Sequence, residues 1–121
     1  VAYSEYLADR VRNHFTDRED VEEKKMMGGL VFMVDDKMCI GVKTDKESGG
    51  DRLMVRLDKN SPEDYLARKG CHPMDMTGKK MAGFYYIFPE GYEEDSDLAY
   101  WVKQALEFNP LATRSKSRKK K

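Results

Sequence analysis

Histidine and cysteine are scarce in this chain, two of each in 121 residues. With only His14, His72, Cys39 and Cys71 to draw on, no Cys/His set with the spacing of a tetrahedral zinc site can be assembled along the sequence. A secreted domain of this size would more often carry several cysteine pairs, so the expected location is the cytoplasm. Long apolar runs are missing too. The longest, Leu30–Val34, is far too short to cross a bilayer, and no signal-peptide pattern opens the chain, so a membrane is not an expected partner. Net charge is also absent, since 22 basic residues balance 22 acidic ones.

That balance hides a division. Arg114, Lys116, Arg118, Lys119, Lys120 and Lys121 crowd the final "TRSKSRKKK", which has no Asp or Glu. Residues 1–113 therefore hold 16 basic against 22 acidic groups, a net of −6. An acidic body opposes a broad nucleic-acid footprint, and only the tail invites one. Hydrophobic residues make up 40% of the chain, enough for a packed core in a single domain. The expected division is a folded domain over 1–108 and a disordered basic tail over 109–121. Pro110 interrupts the last helix there, and the tail has no apolar face to bury.

The order of elements follows from periodicity. Ser4 is a natural N-cap, and Leu7, Val11 and Phe15 recur at helical spacing behind it. Val21–Met26 reads as a polar edge strand. Leu30–Val34 is apolar on both faces, and "DDK" turns the chain into "MCIGV". "RLMVRL" is a fourth strand, "SPEDYLARKG" a short helix with Ser61 as cap and Gly70 as stop, and "GFYYIF" a fifth strand. "DSDLAYWVKQALEF" closes the series as a helix with Leu98, Trp101, Val102, Ala105 and Leu106 on one stripe. The result is α+β: a two-layer antiparallel sheet with helices on one face, in the order α-β-β-β-β-α-β-α.

Several stretches bear on chemistry. Gly28 and Gly29 lead into a strand, whereas a phosphate cradle needs glycines that lead into a helix N-terminus. They read as a turn or bulge, or as a place where another backbone packs close. Lys79 and Lys80 lack both the glycine spacing and the following helix of a phosphate loop. Cys71, His72 and Asp75 put three metal-capable side chains in five residues, read as a loop bent by Pro73 and Gly78 with no further ligands in reach. Adjacent cysteine and histidine side chains usually point apart, which also disfavours a nucleophile–base pair. Cys39 reads as a small buried hydrophobe, and His14 as a helix residue without a second ligand. Glu90, Glu93, Glu94, Asp95 and Asp97 suit a solvated loop and helix N-terminus. No catalytic residue, cofactor or metal site is expected.

Four stretches together carry a resemblance: "EKKMMGGLVFMVDDKMCIGV", "LMVRL", "HPMDMTGKKMAGFYYIFPEG" and "LAYWVKQALEF". In this order they resemble the TfoX (Sxy) N-terminal domain family nearly to Phe108, with Met27 where the family commonly has Phe. The resemblance implies a two-layer α/β structure similar in shape to type III secretion chaperones. It also implies an association with regulation of competence genes, and no catalytic residues to carry over. Full-length competence regulators have a second domain, so the expected counterpart is a stand-alone version.

One surface suggests a role. If helices cover the face carrying Leu30, Phe32, Ile40, Val42, Leu53 and Val55, the opposite face presents Val31, Met33, Cys39, Met54, Tyr85 and Ile87, with Arg52 and Arg56 among them. Met33, Met54 and Tyr85 are expected partly exposed in the monomer, so that lysine at Met33 and Met54 would spare the fold. Val31, Met33, Met54 and Tyr85 are the expected protein-binding residues, adaptable methionine flanked by anchoring tyrosine and arginine. Three functions follow. The first is a non-enzymatic regulatory module that binds a protein partner or a second copy of itself. The second is a nucleic-acid-associated protein held by the six tail cations. The third is a small enzyme or ligand binder using the Cys71–Asp75 loop.

Overall fold

A computed structural model of the chain describes residues 3–26, 28–44, 50–58, 60, 62–76 and 79–112, with the backbone alone at 75, 76 and 79–82. The described residues form one six-stranded antiparallel sheet and three α-helices. In chain order these are α1 (Glu5–Arg12), β1 (Val21–Met26), β2 (Gly29–Val34), β3 (Lys37–Thr44), β4 (Asp51–Arg56), α2 (Pro62–Leu66), β5 (Cys71–Met76), β6 (Lys79–Ile87) and α3 (Asp95–Phe108). The strands lie side by side as β1-β2-β3-β4-β6-β5. The α+β class and the order of elements match the sequence reading, with β5 as an added strand.

Local chemistry explains the starts and turns. The Ser4 hydroxyl accepts a hydrogen bond from the Leu7 N–H at 3.2 Å, filling one of the bare amides that open α1. Asp35 and Asp36 turn β2 into β3 with φ of 55° and 64°, the paired left-handed geometry of a two-residue hairpin, which aspartate tolerates better than most residues. Gly28 has a φ of +76°, and a Cβ on Gly29 would lie 2.3 Å from the Val42 carbonyl oxygen. The glycine pair thus serves a turn and a close approach of neighbouring backbone. Ser61 and Gly78 lie outside the described residues. The chain leaves α2 through turns to Gly70, whose φ is +78°.

Cys71–Met76 is a correction: the sequence reads there as a loop, and the structure holds a strand. Proline removes a ladder donor, which argues against a central strand, but β5 is the sheet edge, where one row of amides has no neighbour to serve. A register shift between Pro73 and Asp75 absorbs the irregularity.

All three helices contribute to one core. Leu7, Ala8 and Val11 of α1, Tyr65 of α2, and Leu98, Trp101, Val102 and Ala105 of α3 pack with Leu30, Phe32, Ile40, Val42, Leu53 and Val55. Each large side chain fully buried there contributes about 1.5–3 kcal/mol by leaving water. Trp101 sits in this core and donates from Nε1 to the Gly91 carbonyl at 3.0 Å.

The core also extends further along the chain than the expected boundary. Asn109–Leu111 form a 3-10 turn, and Asn109 is buried. Its Nδ2 donates to the Val34 carbonyl at 3.1 Å, while the buried Lys37 ammonium donates to the Asn109 carbonyl at 3.0 Å. A cation at the last carbonyls of α3 complements the helix dipole. Asn109, read from the sequence as the start of the tail, is therefore held against the β2–β3 hairpin, while Pro110 and Leu111 are exposed. The tail beyond them, 113–121, lies outside the described residues.

Candidate functional site

Strand pairing defines the two faces of the sheet. One row runs Lys24, Val31, Gly41, Met54, Tyr86, His72 across all six strands. Directly opposed residues in antiparallel strands point the same way, and residues two apart share a face. Glu22, Met26, Met33, Lys43, Arg52, Arg56 and Phe84 therefore join that row on the side away from the core. Among the described residues, no helix packs there.

This open face has a buried floor and a half-exposed upper layer. Val31, Met33, Met54 and Met74 are 3%, 4%, 6% and 2% exposed, yet none belongs to the helix-covered core. Lys24, Lys43, Arg52, Arg56, Phe84 and Tyr86 are half-buried, and His72 is exposed. The Arg52 guanidinium lies 3.9 Å from the centre of the Tyr86 ring, and that of Arg56 lies 5.4 Å from Phe84. Burial pushes the Arg56 guanidinium below its ordinary value. Gly29 and Gly41 place no side chain on the floor. A small cavity of about 30 Å³ opens between Met26, Val31, Met54 and Met74, with Lys43, Arg52 and Tyr86 at its rim.

Two parts of the expected surface need correction. Met33, Met54 and Tyr85 are not partly exposed. Tyr85, 4% exposed, faces the helices together with Ile87, because β6 pairs Val55 with Tyr85 and Leu53 with Ile87. Cys39 also belongs to the core: Phe32 pairs with Ile40 and Met33 with Met38, so Cys39 is the extra residue of a bulge and turns inward. Val31, Met33 and Met54 do lie on the open face, but as its floor.

Sequence reasoning passed over Tyr86, Met74, Met26 and Lys43. Both alternating sets in "GFYYIF" are large and apolar or aromatic, so periodicity alone cannot choose between Tyr85 and Tyr86. The Gly83 carbonyl, accepting from the Leu57 N–H at 2.7 Å, sets that register, and its φ of +85° is a backbone choice that only the fold reveals. The alternating Lys24 and Met26 of β1 were a usable signal.

The Cys71–Asp75 stretch is not assembled into a site. As neighbours on a strand, Cys71 and His72 take opposite faces: Cys71 is buried in the core, and His72 is exposed with its ring edge-on to Phe88 at 5.0 Å. Burial pushes the thiols of Cys71 and Cys39 up to about 12, so neither is a thiolate at neutral pH. Of the acidic run, Asp95 pairs with Arg10, and Asp97 with Arg68 and Lys69. Among the described residues no group of three or more potential ligands surrounds a metal position. His14 is exposed and lines a shallow hollow between α1 and α3. The six tail cations, Arg114 to Lys121, lie outside the described residues.

The fold defines a small α+β domain whose helices share one face of an antiparallel sheet. The model of the TfoX N-terminal domain family matches residues 13–109, most of the chain, and the chain belongs to that family. The family supports a module of the competence-regulator kind and is not a known enzyme family. No curated protein matches the chain. No helix among the described residues is long and apolar enough to cross a membrane.

Proposed function

We propose that this chain is a non-enzymatic regulatory module of the cytoplasm that acts by binding a protein through the open face of its sheet. One observation carries the reading: a face that no helix among the described residues covers sets half-exposed cations and aromatic rings around an apolar floor. A solvated face with no partner to meet would read as plain alternation of polar residues. Arginine and tyrosine are enriched in protein interfaces because they combine apolar area with hydrogen-bonding reach. The family membership supports a regulatory rather than a catalytic role.

The reading is tested by placing a photo-crosslinking amino acid at Lys24 or Tyr86 on the open face, and at Tyr6 or Lys103 on the helical side, in the native cell. Covalent protein adducts are expected from the first pair. Adducts from the helical positions alone, or none at all, would overturn it.

The composition of the last nine residues favours a second, separable contact. Six cations without a carboxylate suit a polyanion, and we propose nucleic acid as their partner, bound weakly and without sequence preference because no base-reading group accompanies them.

A further inference from the structure

We propose that the open face takes an acidic peptide segment that inserts one apolar anchor, leucine, methionine or phenylalanine, between Met26, Met54 and Met74. This rests on the protein-binding reading above and names the chemistry of the partner.

Charge comes first. Among the residues whose side chains are described, this face carries the cations Lys24, Lys43, Arg52 and Arg56 together with the carboxylate of Glu22. The rest of the body reverses that sign, since residues 1–113 together carry −6. A cationic face on an acidic domain attracts a short anionic segment and repels the same segment elsewhere, which fixes where it lands.

The floor supplies the anchor point. Because Gly29 and Gly41 have no side chains, the sheet surface sinks between β2, β3 and β4. The resulting cavity of about 30 Å³ is the size of a methyl or two, too small for a side chain as it stands. Three of its lining residues are methionines, however, and unbranched thioether chains re-pack at little cost. Met26, 37% exposed, stands at the mouth.

The same details disfavour other occupants. A single-stranded nucleic acid would stack its bases on open aromatic faces, but Arg52 and Arg56 already lie on the rings of Tyr86 and Phe84. An acidic body also repels a long polyanion beyond the edge of the face. A second copy meeting face to face about a two-fold axis would set this cluster of cations against itself.

The test pans a random twelve-residue peptide library on the full chain, then measures the enriched consensus peptide by fluorescence anisotropy. Enriched sequences should share Asp and Glu around one Leu, Met or Phe. Reversing two rim charges together, Lys24→Glu with Lys43→Glu, should weaken the peptide at least tenfold while leaving the melting temperature within a few degrees. Gly41→Ala places a Cβ 3.2 Å from Met54 Cε, which can shift, so the fold should hold while the cavity fills and affinity drops several-fold. A pool without acidic bias, no enrichment over a control protein, or affinity indifferent to both variants would overturn the inference. So would a twelve-nucleotide oligo(dT) that binds in a Lys43-dependent manner and displaces the peptide. If open-face crosslinks form but the captured segment is neutral or basic, the inference alone fails. If no crosslinks form there, the protein-binding reading fails with it.

Discussion

Lysine at Met33 or Met54 would bury an ammonium in the floor of the open face, where water cannot follow at 4% and 6% exposure. Each substitution should cost about 3 kcal/mol, roughly 10 °C in Tm for a domain of this size. Thermal unfolding followed by circular dichroism checks this, and a shift of a degree or two would put both side chains on the accessible surface. The two cysteines yield a second expectation. With both thiols raised to about 12 by burial, neither should react with a thiol-specific reagent at pH 8 while the protein is folded, and both should react in denaturant. Fast native labelling of Cys71 would reopen catalysis at the Cys71–Asp75 strand.

Between elements, ion pairs and hydrogen bonds tie α1 and the C-terminal turn to the sheet. Arg12 of α1 grips both oxygens of Glu23 on β1 at 2.6 and 2.9 Å and also pairs with Asp9. The hydrogen bond from Arg12 holds the Glu23 carboxyl below its ordinary value, and Arg18 does the same for Asp20. A carboxyl with a depressed folded-state value stabilises the fold above its unfolded value, and that contribution is lost as pH falls through the folded one. Stability should therefore drop as pH falls below about 4.5, and Glu23→Gln should flatten that part of the profile. Tm measured from pH 6 to pH 2.5 for both proteins tests the sign. The effect should be modest, because these groups are partly solvated.

The turn after α3 is held more tightly. Asn109→Ala would remove the hydrogen bond that its Nδ2 donates to the buried Val34 carbonyl, at a cost of about 0.5–1.5 kcal/mol. Hydrogen exchange should then show faster opening of residues 105–112 than of β3. Equal protection in both proteins would show that the bond contributes nothing.

Across the molecule, charge is sorted by region: a cationic sheet face, an acidic remainder and a basic tail. A salt series of duplex-DNA binding separates their roles. Binding is expected only from chains that keep residues 113–121, with a log–log salt slope no steeper than about −5 for six cations. Binding that survives truncation after Ala112 would move the contact to the folded body and undo the assignment to the tail. A fully inert intact chain at low salt would refute nucleic acid as the partner of the tail.

Most of this architecture was legible as a string of residues. The Ser4 cap, the stripe from Leu98 to Leu106, the "DDK" turn and the two-sided strand Leu30–Val34 each state their structure locally, because capping, periodicity and turn geometry involve neighbours a few residues apart. The errors that mattered for the site were matters of partnership. Pro73 forbids a central strand but not an edge, and which strand becomes an edge depends on what pairs beside it. Tyr85 and Tyr86 are equivalent until β4 chooses a register with β6, and a one-residue change exchanges core for surface along the whole strand. The bulge that turns Cys39 inward is a mismatch between two strands, and so has no signature in either one. Short-range rules thus determine which elements exist; long-range pairing determines which face each side chain takes. The candidate binding face is made of side chains from six strands, so it exists only once that pairing is complete.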